Sequence, residues 1–110
     1  MKSRLLLIPA LSLLIAMPQA FAADGKALFD SNCVSCHGDH AQGAFPGVPN
    51  LITSGRLEKP DAVLIGHIMN GFQSSDSPMA MPPKGGDSSL TADDAKALLV
   101  YLRGIPRSSK

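Results

Sequence analysis

The sequence predicts a small all-α domain of three to five helices joined by long loops. Three observations carry that expectation. Apolar stretches recur at helical spacing, bracketed by start and stop residues. No run alternates apolar and polar residues for long enough to make a strand. The connections are rich in Gly and Pro, of which the chain has 10 and 9.

The first helix is expected over 24–32, where Asp24 suits the electropositive start and Ala27, Leu28 and Phe29 supply an apolar side. Residues 38–49 read as loop, because Gly38, Gly43, Gly47, Pro46 and Pro49 break any helical period. Residues 51–59 fit either a short helix or an irregular segment. A clearer helix spans 60–70, with Pro60 at its first position and Asp61 beside it. Val63, Leu64, Ile65, Ile68 and Met69 give it a broad apolar side, and Gly71 stands where a C-terminal cap belongs. Residues 73–89 form a long loop holding Pro78, Pro82 and Pro83, a length that in a small domain signals function or disorder. The last helix is the best marked. Thr91 is its N-cap, Asp94 completes a variant capping box, and Leu98, Tyr101 and Leu102 fall at i, i+3 and i+4 before Gly104 and Pro106 end it.

The start of the chain reads as a targeting segment. Lys2 and Arg4 precede an apolar run over 5–17, and Ala20-Phe21-Ala22 matches a small-x-small cleavage site. We therefore expect residues 1–22 to be a cleaved secretory signal peptide and residues 23–110 to be one domain, exported to the periplasm. The apolar run falls short of the ~20 residues that span a bilayer, so no membrane insertion is expected after cleavage. Loss of Lys2 and Arg4 takes the ten basic residues to eight, against nine acidic ones. That balance lacks the basic field that nucleic acid or an acidic lipid surface would require.

The chain's only two cysteines stand in Cys33-Val34-Ser35-Cys36-His37. This spacing reads as a covalent attachment site for one haem c. Each sulfur can add to one vinyl group, and two intervening residues let one backbone turn span both vinyl positions. His37 then falls under the iron as an axial ligand. A thiol redox motif would need a preceding strand and a βαβ context, and a zinc site would need a second close pair of ligands. Neither is visible. A domain this small buries a modest core by itself, so the haem-free chain is expected to fold poorly.

The other face of the iron has Met69, Met79, Met81, His40 and His67 as candidates. Met69 fits a gap-filling role in the core. His67 reads as facing solvent or a haem propionate, and His40 stands too near His37 to reach the opposite face. Met81 precedes Pro82-Pro83, which stiffen the loop and favour extended backbone before them. Met79 remains the alternative, two residues away.

These residues resemble the class I c-type cytochromes, specifically small bacterial members, over nearly the whole of 23–110. The matching parts run in order: Gly25 and Phe29, then Cys33 to Gly38, Val48-Pro49-Asn50-Leu51, Met69-Asn70-Gly71, Met81-Pro82-Pro83-Lys84-Gly85-Gly86, and a last helix with Tyr101. The resemblance implies a small cytochrome c fold, its helices wrapped around one covalently attached haem. It implies that Met81 is the axial methionine and that the Pro49 carbonyl accepts a hydrogen bond from His37. It also implies packing of Gly25, Phe29 and Tyr101 between the first and last helices. The chain has no Trp, which many relatives use near a propionate, and Arg56 is the substitute we assign.

The function expected is an electron carrier, not an enzyme, that passes single electrons between redox proteins, as a monomer or as a subunit of a complex. Val34, Phe45 and Ala80 are the apolar residues expected around an exposed haem edge. The rivals are a haem subunit of a specific dehydrogenase or oxidoreductase complex, and a haem sensor or peroxidase with an open sixth position.

Overall fold

The computed structural model describes residues 23–107 together with Ser12 and Ile15. The expected leader, 1–22, lies almost wholly outside the described residues. Among the described residues four α-helices form: α1 (Gly25–Asn32), α2 (Val34–His37), α3 (Asp61–Asn70) and α4 (Ala92–Gly104). A tight 3-10 turn occurs at Arg56–Glu58, and Pro83–Gly86 forms a tight turn that passes through left-handed dihedrals at Lys84 and Gly85. Among the described residues the extended structure amounts to one antiparallel residue pair, Phe72 with Met81. The all-α expectation holds.

Local signals set the helix ends. The Asp24 carboxylate accepts from the Ala27 N–H at 3.2 Å and so satisfies one orphan donor of α1. Thr91 and Asp94 form a reciprocal capping box on α4, each side chain accepting from the other's backbone N–H, at 3.1 and 2.8 Å. Gly71 closes α3 at φ 80°, in the left-handed region that favours glycine. Pro60 sits one place earlier than expected. Its ψ of 146° is extended, so it precedes the helix and the helical dihedrals start at Asp61. The ambiguous stretch 51–59 opens with a turn held by Asn50, whose side-chain oxygen accepts from Ile52 and Thr53 at 2.9 and 3.2 Å, and continues into the 3-10 turn at Arg56–Glu58.

Helix α4 packs against both α1 and α3. Phe29 of α1 and Leu98 of α4 are the largest fully buried side chains among the described residues, and the Phe29 ring lies 5.5 Å from that of Tyr101, tilted by 49°. Gly25 permits the α1–α4 approach. A Cβ built there would stand 2.2 Å from the Ala97 carbonyl oxygen, a backbone atom that cannot swing aside.

Gly25→Ala should therefore destabilise the protein by about 1–3 kcal/mol through overpacking. Gly66, inside α3, has nothing within 4 Å of its own added Cβ. There Ala should stabilise by up to ~1 kcal/mol through helix propensity. Urea titrations of the two variants check the pair, and equal effects would contradict the packing described.

Candidate functional site

Helix α1 breaks at Cys33, whose φ of −122° leaves the helical range, and the chain restarts as α2. The Cys33 carbonyl accepts from the Cys36 and His37 N–H groups at 3.2 and 2.9 Å, so the two thiols and the imidazole stand on one turn of backbone. Gly38, at φ 81°, turns the chain back beneath them. The Gly43 N–H then donates to the His37 carbonyl at 2.7 Å, and Ala44 to that of Cys36 at 2.9 Å. Loop 38–49 is thus stitched to the motif it follows.

A second segment is held independently. Phe72 and Met81 exchange backbone hydrogen bonds of 3.1 and 2.7 Å. This pair pins the backbone of Met81 just before Pro82-Pro83. Gly71 lies so close beneath it that a Cβ would stand 2.7 Å from the Met81 carbonyl oxygen. Met79 is tied less firmly. The Ser77 hydroxyl donates to the Met79 carbonyl at 3.0 Å and lies within reach of the Gly47 carbonyl at 3.3 Å, joining the two loops.

Between these segments opens a pocket of about 260 Å³. Cys33, Cys36, His37, Pro49, Met79 and Met81 all line it, as do Arg56, His67 and Ala80. His40 and Met69 do not; Met69 packs against the core instead, as expected. Val34 and Phe45, expected at the pocket rim, are not in its lining. Val34 lines a separate groove against the end of α4, and Phe45 is surface-exposed. The sequence reading missed Lys59 and Ser77, both of which line the pocket. His67 stacks on Phe72 with ring centroids 4.0 Å apart, a contact set by the turn at Gly71.

The electrostatics suit a neutral or anionic apolar ligand. Burial, and to a smaller extent the neighbouring Cys36, push the Cys33 thiol up to about 11. At neutral pH it is therefore a protonated thiol, the opposite of the activated thiolate a thiol oxidoreductase needs. Burial likewise lowers the pKa of His37, favouring the neutral imidazole that ligates metal. Its Nδ1 is buried with no hydrogen-bond partner. The bond to the Pro49 carbonyl implied by the resemblance is therefore not made, although both residues line the pocket. A buried polar atom left this way costs about 1–3 kcal/mol. Burial, followed by the charges of Lys59 and Arg56, also lowers the pKa of His67. Two thiols, a neutral imidazole and two thioethers around an apolar cavity are a donor set that fits a haem.

Residues 20–102 match the family described as cytochrome C oxidase, cbb3-type, subunit III. Similar proteins include cytochrome c-551 of Stutzerimonas stutzeri, 35% identical over 104 residues, which cover 91% of this chain and 96% of that protein. Cytochrome c-555 of Prosthecochloris aestuarii is 30% identical over 82 residues, covering 73% of this chain and 83% of that one. The cbb3-type cytochrome c oxidase subunit CcoP of Azospirillum brasilense is 41% identical over 94 residues, which cover 78% of this chain but only 29% of the subunit.

The unequal tethering of the two methionines has a direct readout. The Met81 amide proton should exchange with solvent at least about tenfold more slowly than that of Met79, since only the first sits in a short backbone pair. Gly71→Ala should erase the difference. Equal exchange in the unsubstituted protein would show that the Phe72–Met81 pair does not persist in solution.

Proposed function

The chain belongs to the small class I c-type cytochromes and is an electron carrier; from that premise we propose how its residues hold the cofactor and where it works. Cys33 and Cys36 would form the two thioethers to a single haem, and His37 and Met81 would ligate its iron. The protein is exported with residues 1–22 as a leader and works in the periplasm, passing electrons between redox proteins. The observation that carries this reading is that one apolar pocket is lined by all four of these residues. No helix among the described residues is long and apolar enough to cross a membrane.

When bound, the haem supplies a one-electron ferric–ferrous couple. The chain's own groups set the conditions for it. Cys33 reaches the pocket as a thiol, the form in which its sulfur and proton add across a vinyl double bond. His37 presents a neutral ring whose Nδ1–H can donate to the Pro49 carbonyl once Nε2 is engaged, fixing the ring and raising its basicity. Met81 is preferred to Met79 on two grounds. It is half-buried and packed against the core, whereas Met79 is 41% exposed. Its backbone is also pinned on both sides, by Phe72 and by Pro82. A neutral thioether at this position favours the ferrous state and raises the potential relative to a second histidine. Leu64, Ile68, Leu98 and Leu99 form part of the pocket's apolar wall.

A second reading is favoured by the match to the oxidase subunit CcoP, which concerns a domain of a larger protein. In it the chain remains bound to a complex. Gel filtration of a native extract separates the two: the carrier should elute as a monomer, and a large assembly would support the subunit.

The ligand assignment is tested by paired variants. Met81→Ala should abolish the ferric Met–iron charge-transfer band, and Met79→Ala should retain it. Loss of the band in the Met79 variant alone would reverse the assignment.

A further inference from the structure

Arg103 stands on α4 and does not line the pocket. Its guanidinium nevertheless grips one stretch of chain at three points. Nε donates to the Leu57 carbonyl at 3.1 Å, Nη2 donates to the Lys59 carbonyl at 3.0 Å, and Nη1 pairs with the Asp61 carboxylate. All three partners lie within residues 57–61, between the Arg56–Glu58 turn and the first residue of α3. That stretch, with the residue before it, delivers three residues to the pocket lining, Arg56, Leu57 and Lys59, the first and last of them cations.

The pocket has a one-sided charge. Among the described residues Arg56 and Lys59 are its only charged lining groups, and no carboxylate lines it with them. Both cations also lie near enough to His67 to lower its pKa by repulsion, so they gather about one part of the pocket. Cations brought together beside an apolar cavity without a counter-ion raise the energy of the site, and an anionic ligand group relieves it. A haem carries two carboxylates. We propose that Arg103 is a positioning residue that holds Arg56 and Lys59 against the haem carboxylates and so raises the reduction potential. The proposal rests on the haem assignment made above.

The physical link is the stiffness of the fork. Planar guanidinium donors in fixed directions hold two backbone carbonyls together, whereas a lysine ammonium is a point charge on a flexible stem. A segment held in place keeps its two cations close to the carboxylates and offsets their negative field at the iron. Released, the cations move into solvent, the field becomes more negative, and the ferric state gains.

The test uses the haem-loaded protein. Arg103→Lys keeps the charge and removes the fork. It should lower the ferrous-to-ferric ratio at a fixed solution potential by about two- to fivefold, while the thioether and Met–iron spectra stay as they were. Those spectra separate this proposal from the haem assignment, because a failed assignment would show in the unsubstituted protein. In a background carrying Arg56→Gln and Lys59→Gln, Arg103→Lys should produce no further shift, since the groups it acts through are gone. An equal shift in both backgrounds would overturn the proposal, as would a lowered melting temperature with an unchanged potential. Arg56→Gln alone must also lower the ratio, and a potential unmoved by it overturns the proposal even if Arg103→Lys fails to fold.

Discussion

Phe29, Leu64, Ile68, Leu98, Leu99 and Leu102 are buried in the helix packing and also line the pocket. The core of this domain therefore has an open side, and the rest of the structure follows from that. Three helices of 8, 10 and 13 residues cannot enclose a closed apolar interior by themselves. At ~25 cal/mol per Å² of apolar surface removed from water, an unfilled pocket forgoes stabilisation on the same side chains that hold α1, α3 and α4 together. A flat apolar group placed among them serves as core and as cofactor at once. The fold and the function are thus the same requirement seen from two sides.

The loops gain their order from that arrangement. Apart from the tight turn at Pro83–Gly86, neither the 38–49 loop nor the 73–89 loop is regular, yet each is fastened by a few backbone bonds close to a residue that faces the pocket. His37 is fastened through its own carbonyl, which accepts from Gly43, and Met81 through its exchange with Phe72. Rigid placement suits electron transfer, where the geometry about the iron should change little between the two oxidation states. The groups delivered to the pocket include two imidazoles, thiols, thioethers and cations, and among the described residues no lining carboxylate stands with them.

Much of this was legible in the sequence where the signal is local. Asp24, Thr91 with Asp94, and Gly71 mark helix ends because capping acts within three or four residues; Thr91 with Asp94 and Gly71 cap as read, while Asp24, expected inside the first turn, is the N-cap one place before it. The Cys-x-x-Cys-His motif was equally legible, since its residues share one turn of backbone. What stayed hidden depends on contacts distant in sequence or on a single residue pair. The Phe72–Met81 exchange involves one residue from each side, too few for any alternation to appear. Lys59 in the pocket wall and Arg103 gripping the chain 42–46 residues away have no periodic signature. Pro60 was misplaced by one position because proline suits both the first helical site and the extended residue before it. The orientation of the His37 ring is a rotamer, which spacing does not encode.

The pocket completes the core of this domain only when it is filled. Far-UV circular dichroism and urea unfolding of the chain produced without haem and with it measure that dependence. The haem-free chain should lose most of its helical signal and show no cooperative transition, and loading should restore both. A haem-free chain with the full helical spectrum and a cooperative transition of similar midpoint would contradict that dependence.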